Sequence, residues 1–286
     1  MLDAYTFSNK DIINYISEHF TPFKINAETK VGNPLFEEFQ GTGYPLIIFL
    51  DENKNELDRF YGYYPADKFL VQLENVLSGE NTFPALLTKY KLGDQSSETM
   101  FNLANKYLDR GDNNIAKELY TQILTHSNVS YQIFHKSKLS LGIIGLEDNY
   151  KILERYISNY PDTPHLYESI NYLLQYFKNN NFVELELNYY NKYIDKFSSD
   201  PWFLNQYAWR MTELNKNLDI ALEKINISLD LISDDDIKKA MVLDTKAEIY
   251  WKLGDKNESV LIINEAINIE PENEYYKNKK NKFLEK

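Results

Sequence analysis

Apolar residues along the first 80 positions follow two different periods. Where they recur every three or four residues the pattern predicts helices, and where they alternate or run together it predicts strands. The predicted elements are a helix capped by Ser8 whose apolar face runs over 12–20, a strand at 23–26, a short helix opened by Asn33 and Pro34, strands at 46–50 and 57–61, and a helix from Pro65 to Gly79. Leu46–Leu50 contains no polar residue, so we expect this strand to be buried on both faces. This order predicts an α/β N-terminal domain.

From about Glu98 onward the pattern is helical only, and it repeats. Three residues of an early unit recur 143 positions later: Ala104 as Ala247, Tyr107 as Tyr250 and Gly111 as Gly254. Four units of about 36 residues fill that interval, close to the 34-residue period of tetratricopeptide repeats (TPR). The predicted middle helices cover 131–142, 147–160, 165–178, 182–197 and 202–214, and a polar helix over 272–286 caps the array.

The change of pattern divides the chain at a short polar linker over 92–97. We therefore predict an α/β domain over residues 1–91, followed by an all-α, TPR-like solenoid over 98–286. Repeat arrays present extended surfaces for binding, so a protein or peptide partner is expected for the second domain.

The segment Gly43-Tyr44-Pro45, followed directly by Leu46–Leu50, resembles the substrate-facing proline loop of a thioredoxin-like domain. The matching stretches cover 5–8, 12–20, 23–26, 43–45, 48–51 and 59–63, and bacterial thioredoxin-family proteins with a C-terminal TPR array are similar in organisation. The resemblance implies that Pro45 follows a cis peptide bond and that the Tyr44 backbone can pair with an extended peptide. Gly43, Tyr44 and Pro45 are thus the candidate substrate-binding residues.

The sequence contains no cysteine, so no thiol of this chain can attack a disulfide. By the resemblance, a central strand and the redox Cys-x-x-Cys motif would end near Met1. We hypothesise that Met1 is an internal residue of a longer protein whose earlier part supplies both. Without that strand, the predicted strands at 23–26 and 46–50 would expose unpaired backbone groups and apolar side chains. Two functions stay open: a non-catalytic interaction module, and a fragment of a thiol-disulfide oxidoreductase with its cysteines upstream.

The charge and hydropathy of the chain limit the classes of partner that we expect. The net charge is −12, from 43 acidic and 31 basic residues, and no basic stripe is present, so nucleic acid is not an expected partner. The lysines over 277–282 are interpreted as the solvated face of a terminal helix. No apolar run reaches the roughly 18 residues that span a bilayer, and no signal peptide is recognised. The expected location is cytoplasmic by default, or periplasmic if the native start lies upstream.

No motif predicts a catalytic residue, a cofactor or a metal ion. The four histidines (His19, His126, His135 and His165) lack ligand neighbours at metal-binding spacing, and no glycine-rich phosphate loop occurs. The acidic run over 234–236 is interpreted as a helix cap. The 23 tyrosines could line a binding groove, but we interpret them as ordinary packing residues of paired helices.

Overall fold

The computed structural model describes residues 2–232 and 236–285, without the side chains of Ala4, Asp236 and Ile237. The chain forms two compact units, one ending at Tyr176 and the other beginning at Phe177. The acidic run interpreted as a helix cap falls largely outside the described residues.

A single π-helical turn, Leu2–Thr6, precedes the other elements. In chain order these are α1 (Lys10–His19), α2 (Gly32–Glu38), β1 (Leu46–Leu50), β2 (Glu56–Tyr61), α3 (Ala66–Ser78), α4 (Phe83–Lys91), α5 (Ser97–Leu108), α6 (Asn113–Ile123), α7 (Tyr131–Ile144), α8 (Leu146–Asn149), α9 (Lys151–Asn159), α10 (Leu166–Asn179), α11 (Val183–Tyr193), α12 (Pro201–Leu214), α13 (Leu218–Leu231), α14 (Asp236–Leu253), α15 (Lys256–Ile269) and α16 (Glu274–Leu284).

The N-terminal segment is built on the antiparallel pair of β1 and β2. Leu46 pairs with Tyr61 and Phe49 with Asp58, and the register shifts by one residue after Phe49. The core beside this sheet combines its aromatic residues with the apolar faces of α1 and α3, namely Ile12, Phe49, Phe60, Phe69, Leu73 and Val76. Helices packed beside a small sheet confirm the predicted α/β class for this segment.

Two strand predictions were wrong. Residues 23–26 form no strand, and Phe23 and Ile25 are 84% and 54% exposed. Within the described residues β1 pairs only with β2, so no strand lies beside 23–26 to offer hydrogen bonds. Burial of β1 on both faces was also wrong, because only Phe49 is buried and Leu50 is 42% exposed.

Two helix starts differ slightly from the prediction. Asn9, rather than Ser8, caps α1, because its side-chain oxygen accepts hydrogen bonds from the backbone N–H groups of Asp11 and Ile12 at 2.9 and 3.3 Å. The second helix begins at Gly32, before the predicted Asn33. Gly32 fits because any larger residue would place a Cβ only 2.0 Å from the backbone oxygen of Asn26.

The predicted helical repeat is confirmed, with helix α4 as an unpredicted addition before it. The helices that open each pair begin at 97, 131, 166, 201 and 236, and the terminal helix begins at 274, giving intervals of 34, 35, 35, 35 and 38 residues. Ala104 and Ala247 are fully buried, as close helix packing requires. Gly111 and Gly254 have φ of 77° and 88°, a conformation that few other residues adopt at a turn.

The C-terminal helix α16 packs against α14 and α15, and the prediction that its lysines are solvated was wrong in part. Tyr276 and Phe283 of α16 are buried in the core formed with α14 and α15. Lys279 is only 8% exposed, and its ammonium lies 2.8 Å from Asp244 and 3.1 Å from Glu248. The terminal lysine run is therefore partly a buried ionic contact. No helix of 2–232 or 236–285 is long and apolar enough to cross a bilayer.

Candidate functional site

The proline loop has the geometry that the resemblance implies. The Tyr44–Pro45 peptide bond is cis. Two hydrogen bonds fix the loop against the end of β2: the Thr42 N–H donates to the Tyr61 hydroxyl at 3.2 Å, and the Gly62 N–H donates to the Pro45 carbonyl at 3.0 Å. The loop is therefore held in one place although it is largely exposed.

Both the ring and the backbone polar groups of Tyr44 are accessible to another molecule. The side chain is 61% exposed, and its ring packs on that of Phe36 with centroids 4.7 Å apart. Among the described residues, no backbone hydrogen bond involves the Tyr44 N–H or C=O. A Cβ on Gly43 would lie 3.9 Å from the Tyr61 ring, an ordinary contact, so the loop itself does not require glycine there. The glycine leaves space above a backbone whose polar groups are available.

A cluster of buried charges joins β2 to α5. Glu56, Asp58 and Arg59 of β2 meet Lys106 of α5 and Arg110 just beyond it. Lys106 pairs with Asp58, and Arg110 reaches Glu56 at 2.5 Å and Asp58 at 3.8 Å. Asp58 is 2% exposed, so these charges depend on one another for compensation.

The surroundings of this cluster keep its cations in place. The Arg59 guanidinium also donates to the Phe39 carbonyl at 2.7 Å, and that of Arg110 lies 4.0 Å above the Phe83 ring. Burial raises the pKa of nearby Asp109 to about 6, partly offset by Lys106 and Arg110. The cluster thus connects β2 to α5 and to the residue that ends α2.

A polar groove of about 530 Å³ lies between α5 and α7. Its walls include Phe101 and Ile133 as apolar contacts, and three amide side chains together with two opposite charges: Asn102, Asn128, Gln132, Glu98 and Lys136. Ser96 and Ser130 cap the two helices by accepting from Thr99 and Ile133 N–H groups. Because these caps are 34 residues apart, the groove is lined by equivalent positions of neighbouring repeats.

Unlike its serines, the amide and charged side chains of this groove have no partners among the described residues. Within the described parts of the chain, the amides of Asn102, Asn128 and Gln132 make no side-chain hydrogen bond. Neither Glu98 nor Lys136 forms an ion pair there. An amide carries two donors and two acceptor lone pairs, so these side chains can bind another molecule without first breaking protein contacts.

The sequence pattern missed this groove, although it contained a usable signal. The spacing of 34 residues between Ser96 and Ser130 aligns Glu98 with Gln132 and Asn102 with Lys136. That alignment would have marked the exposed polar positions of the two helices. What it could not show is that α5 and α7 lie side by side.

The histidines take different environments, and His135 is the most enclosed. It is 4% exposed, with its Nδ1 3.1 Å from the Tyr156 hydroxyl and its ring centroid 4.2 Å from that of Tyr131. Burial, with a smaller contribution from the charge of His165, lowers the pKa of His135. In the described ranges, no group of three or more His, Cys, Asp or Glu residues is placed to hold a metal ion.

Comparison with known proteins supports the two-part organisation. Residues 1–77 match the family model of a thioredoxin-like domain, and residues 242–273 match that of a tetratricopeptide repeat. The chain thus combines a thioredoxin-like segment with TPR-type helical repeats, which confirms the recognition made from the sequence.

One solved structure that matches is "Crystal structure of YrrB: a TPR protein with an unusual peptide-binding site". It shares 13% sequence identity with this chain, covering 69% of this chain and 98% of its own, with a TM-score of 0.46. No curated protein matches the chain.

Proposed function

We propose that this chain is a non-catalytic protein-interaction module whose α5–α7 groove binds an extended segment of a partner protein. The observation that carries the proposal is the set of unpartnered amides at Asn102, Asn128 and Gln132 in one groove. A thioredoxin-like segment and a TPR in the same chain support an interaction role.

The chemistry of the groove fits a peptide. Amide side chains match the alternating donors and acceptors of an extended backbone, which every peptide offers regardless of its sequence. Phe101 and Ile133 provide apolar surface for one or two side chains of the partner. Repeat arrays commonly use such surfaces between neighbouring helices.

The proline loop is proposed as a second contact for an extended segment. The Tyr44 backbone N–H and C=O are available to pair with a strand-like peptide, as in recognition by strand addition. Gly43 and Pro45 would position this backbone, and the exposed Tyr44 ring would cover one peptide side chain. Hydrogen–deuterium exchange with a bound peptide tests this contact: protection of the segment containing Tyr44 is expected, and unchanged exchange there would exclude it.

The groove is tested by selecting ligands from a random-peptide phage library on the whole chain. Synthetic copies of the selected peptides are then measured by fluorescence polarisation against the wild type and Asn102→Ala. Losing the hydrogen bonds of one amide costs about 1–2 kcal/mol, which corresponds to roughly a 5- to 30-fold weaker Kd. Asn114→Ala on the exposed start of α6 is the matched control and should leave Kd unchanged. Equal Kd values for all three proteins would refute the groove as the binding site.

The alternative function is a fragment of a thiol-disulfide oxidoreductase. The exposed Phe23 and Ile25, together with the pairing of β1 on one side only among the described residues, are what that alternative predicts. It requires a cysteine pair outside these 286 residues, since the sequence has none. The chain alone should not reduce insulin disulfides, and measurable turnover would contradict the non-catalytic assignment. The coding sequence before the Met1 codon decides whether the alternative applies.

A further inference from the structure

Two opposite charges face the α5–α7 groove without neutralising each other. Glu98 lies in the first turn of α5, and Lys136 lies in the second turn of α7. No ion pair joins them, and neither is paired with any other residue that the structure describes. Charges that are available in a binding groove select the charges of a ligand.

The repeat places these charges on one diagonal of the groove. Glu98 and Gln132 occupy the same position of successive repeats, as do Asn102 and Lys136, each pair being 34 residues apart. Each helix therefore contributes one charge and one amide, in opposite order. The charges lie at one pair of opposite corners, and the amides at the other.

The diagonal has a length that matches a short stretch of peptide. Four residues along a helix rise about 6 Å, and neighbouring helices pack about 8–10 Å apart. The two charged positions are then roughly 10–12 Å apart along the diagonal. An extended peptide covers this distance in about three to four residues.

We propose that the groove selects partner segments that carry one basic and one acidic residue about three to four positions apart, the basic residue binding Glu98 and the acidic residue Lys136. This rests on the proposed function, because it assumes that the groove binds a peptide. The amides at the other two corners form hydrogen bonds with the backbone of the partner segment, and the two charges restrict which segments bind. Exposed charge pairs change affinity only about two- to fivefold each, so the effect is on selectivity.

The test is deep sequencing of a random-peptide phage selection carried out on four versions of the 286-residue chain: wild type, Glu98→Gln, Lys136→Gln, and a control. The wild type should enrich peptides in which a basic and an acidic residue stand at the stated separation. Glu98→Gln should lose the enrichment of the basic residue only, and Lys136→Gln that of the acidic residue only. The control, Glu118→Gln on the exposed surface of α6, should select the same peptides as the wild type.

The outcomes separate this inference from the function on which it rests. Peptides that bind and depend on Asn102, but show no change of charge enrichment in either variant, overturn the charge selection and leave the groove as a peptide site. Selection of no peptide by any of the four proteins overturns both. Loss of one charge preference per variant, with circular dichroism spectra unchanged, supports the proposal.

Discussion

Breaking the buried ionic contact between β2 and α5 should destabilise the first unit strongly. In Lys106→Met the Asp58 carboxylate, 2% exposed, would keep only Arg110 as a cation, 3.8 Å away. Leaving a buried charge without its partner costs about 3 kcal/mol. With a urea dependence of about 2 kcal/mol per M for a unit of this size, the unfolding midpoint should fall by about 1.5 M.

The two units can be followed separately in the same urea titration. All three tryptophans, Trp202, Trp209 and Trp251, lie in the second unit, so their emission reports that unit. Far-ultraviolet circular dichroism reports the helices of both. In the Lys106→Met variant, the transition followed by circular dichroism should therefore begin at a lower urea concentration. The transition followed by tryptophan emission should keep its wild-type midpoint.

Two further variants make the experiment decisive. Lys24→Met removes the exposed pair of Lys24 and Asp3, whose side chains are 79% and 69% exposed, and should leave the midpoint unchanged. Combining Lys106→Met with Asp58→Leu removes both buried charges and should recover much of the loss, because a well-packed apolar pair replaces a buried ion pair at little cost. A midpoint for Lys106→Met equal to that of Lys24→Met would refute the dependence of Asp58 on its partner.

Three other predictions concern separate parts of the chain. Gly41→Ala would place a Cβ 2.3 Å from the Phe36 ring and should lower the melting temperature, whereas Gly43→Ala meets nothing closer than 3.9 Å and should not. The pKa of His135 is lowered in the folded protein, so the unfolded chain binds its proton more readily, and the free energy of unfolding should fall as the pH drops below about 6.5. In His135→Phe, the difference between the urea midpoints at pH 7.5 and pH 5.5 should be smaller than in the wild type. Lys279→Met removes the cation that lies between two buried carboxylates of α14, so the unfolding midpoint followed by tryptophan emission should decrease. An unchanged midpoint would contradict a stabilising role for this contact.

Much of the fold could be predicted from the sequence because the sequence features that indicate it are local. The sequence pattern marked Gly79 as a helix end and Gly111 and Gly254 as equivalent positions of the repeat, and all three have positive φ in the structure. A helix cap, a turn glycine and an apolar helix face each involve residues within a few positions of one another. The repeat adds that such signals recur at nearly constant intervals, which makes even weakly matching units visible.

Of the two candidate binding sites, one could be predicted from local sequence and the other could not. The proline loop is continuous in sequence, so Gly43, Tyr44 and Pro45 were named from the chain alone, and their role in binding stays a prediction. The α5–α7 groove is different, because Asn102 and Gln132 become neighbours only when two helices pack side by side. Each of them is an unremarkable polar residue in its own helix.

The sequence by itself thus determined the α/β segment, the change to helical repeats, the glycine that ends α3 and the absence of thiol chemistry in this chain. Only the tertiary structure decided that 23–26 has no strand partner among the described residues, and that Lys106 reaches Asp58 across 48 positions. Strand pairing and buried ion pairs join distant residues, and their free energy depends on burial, which no local pattern encodes.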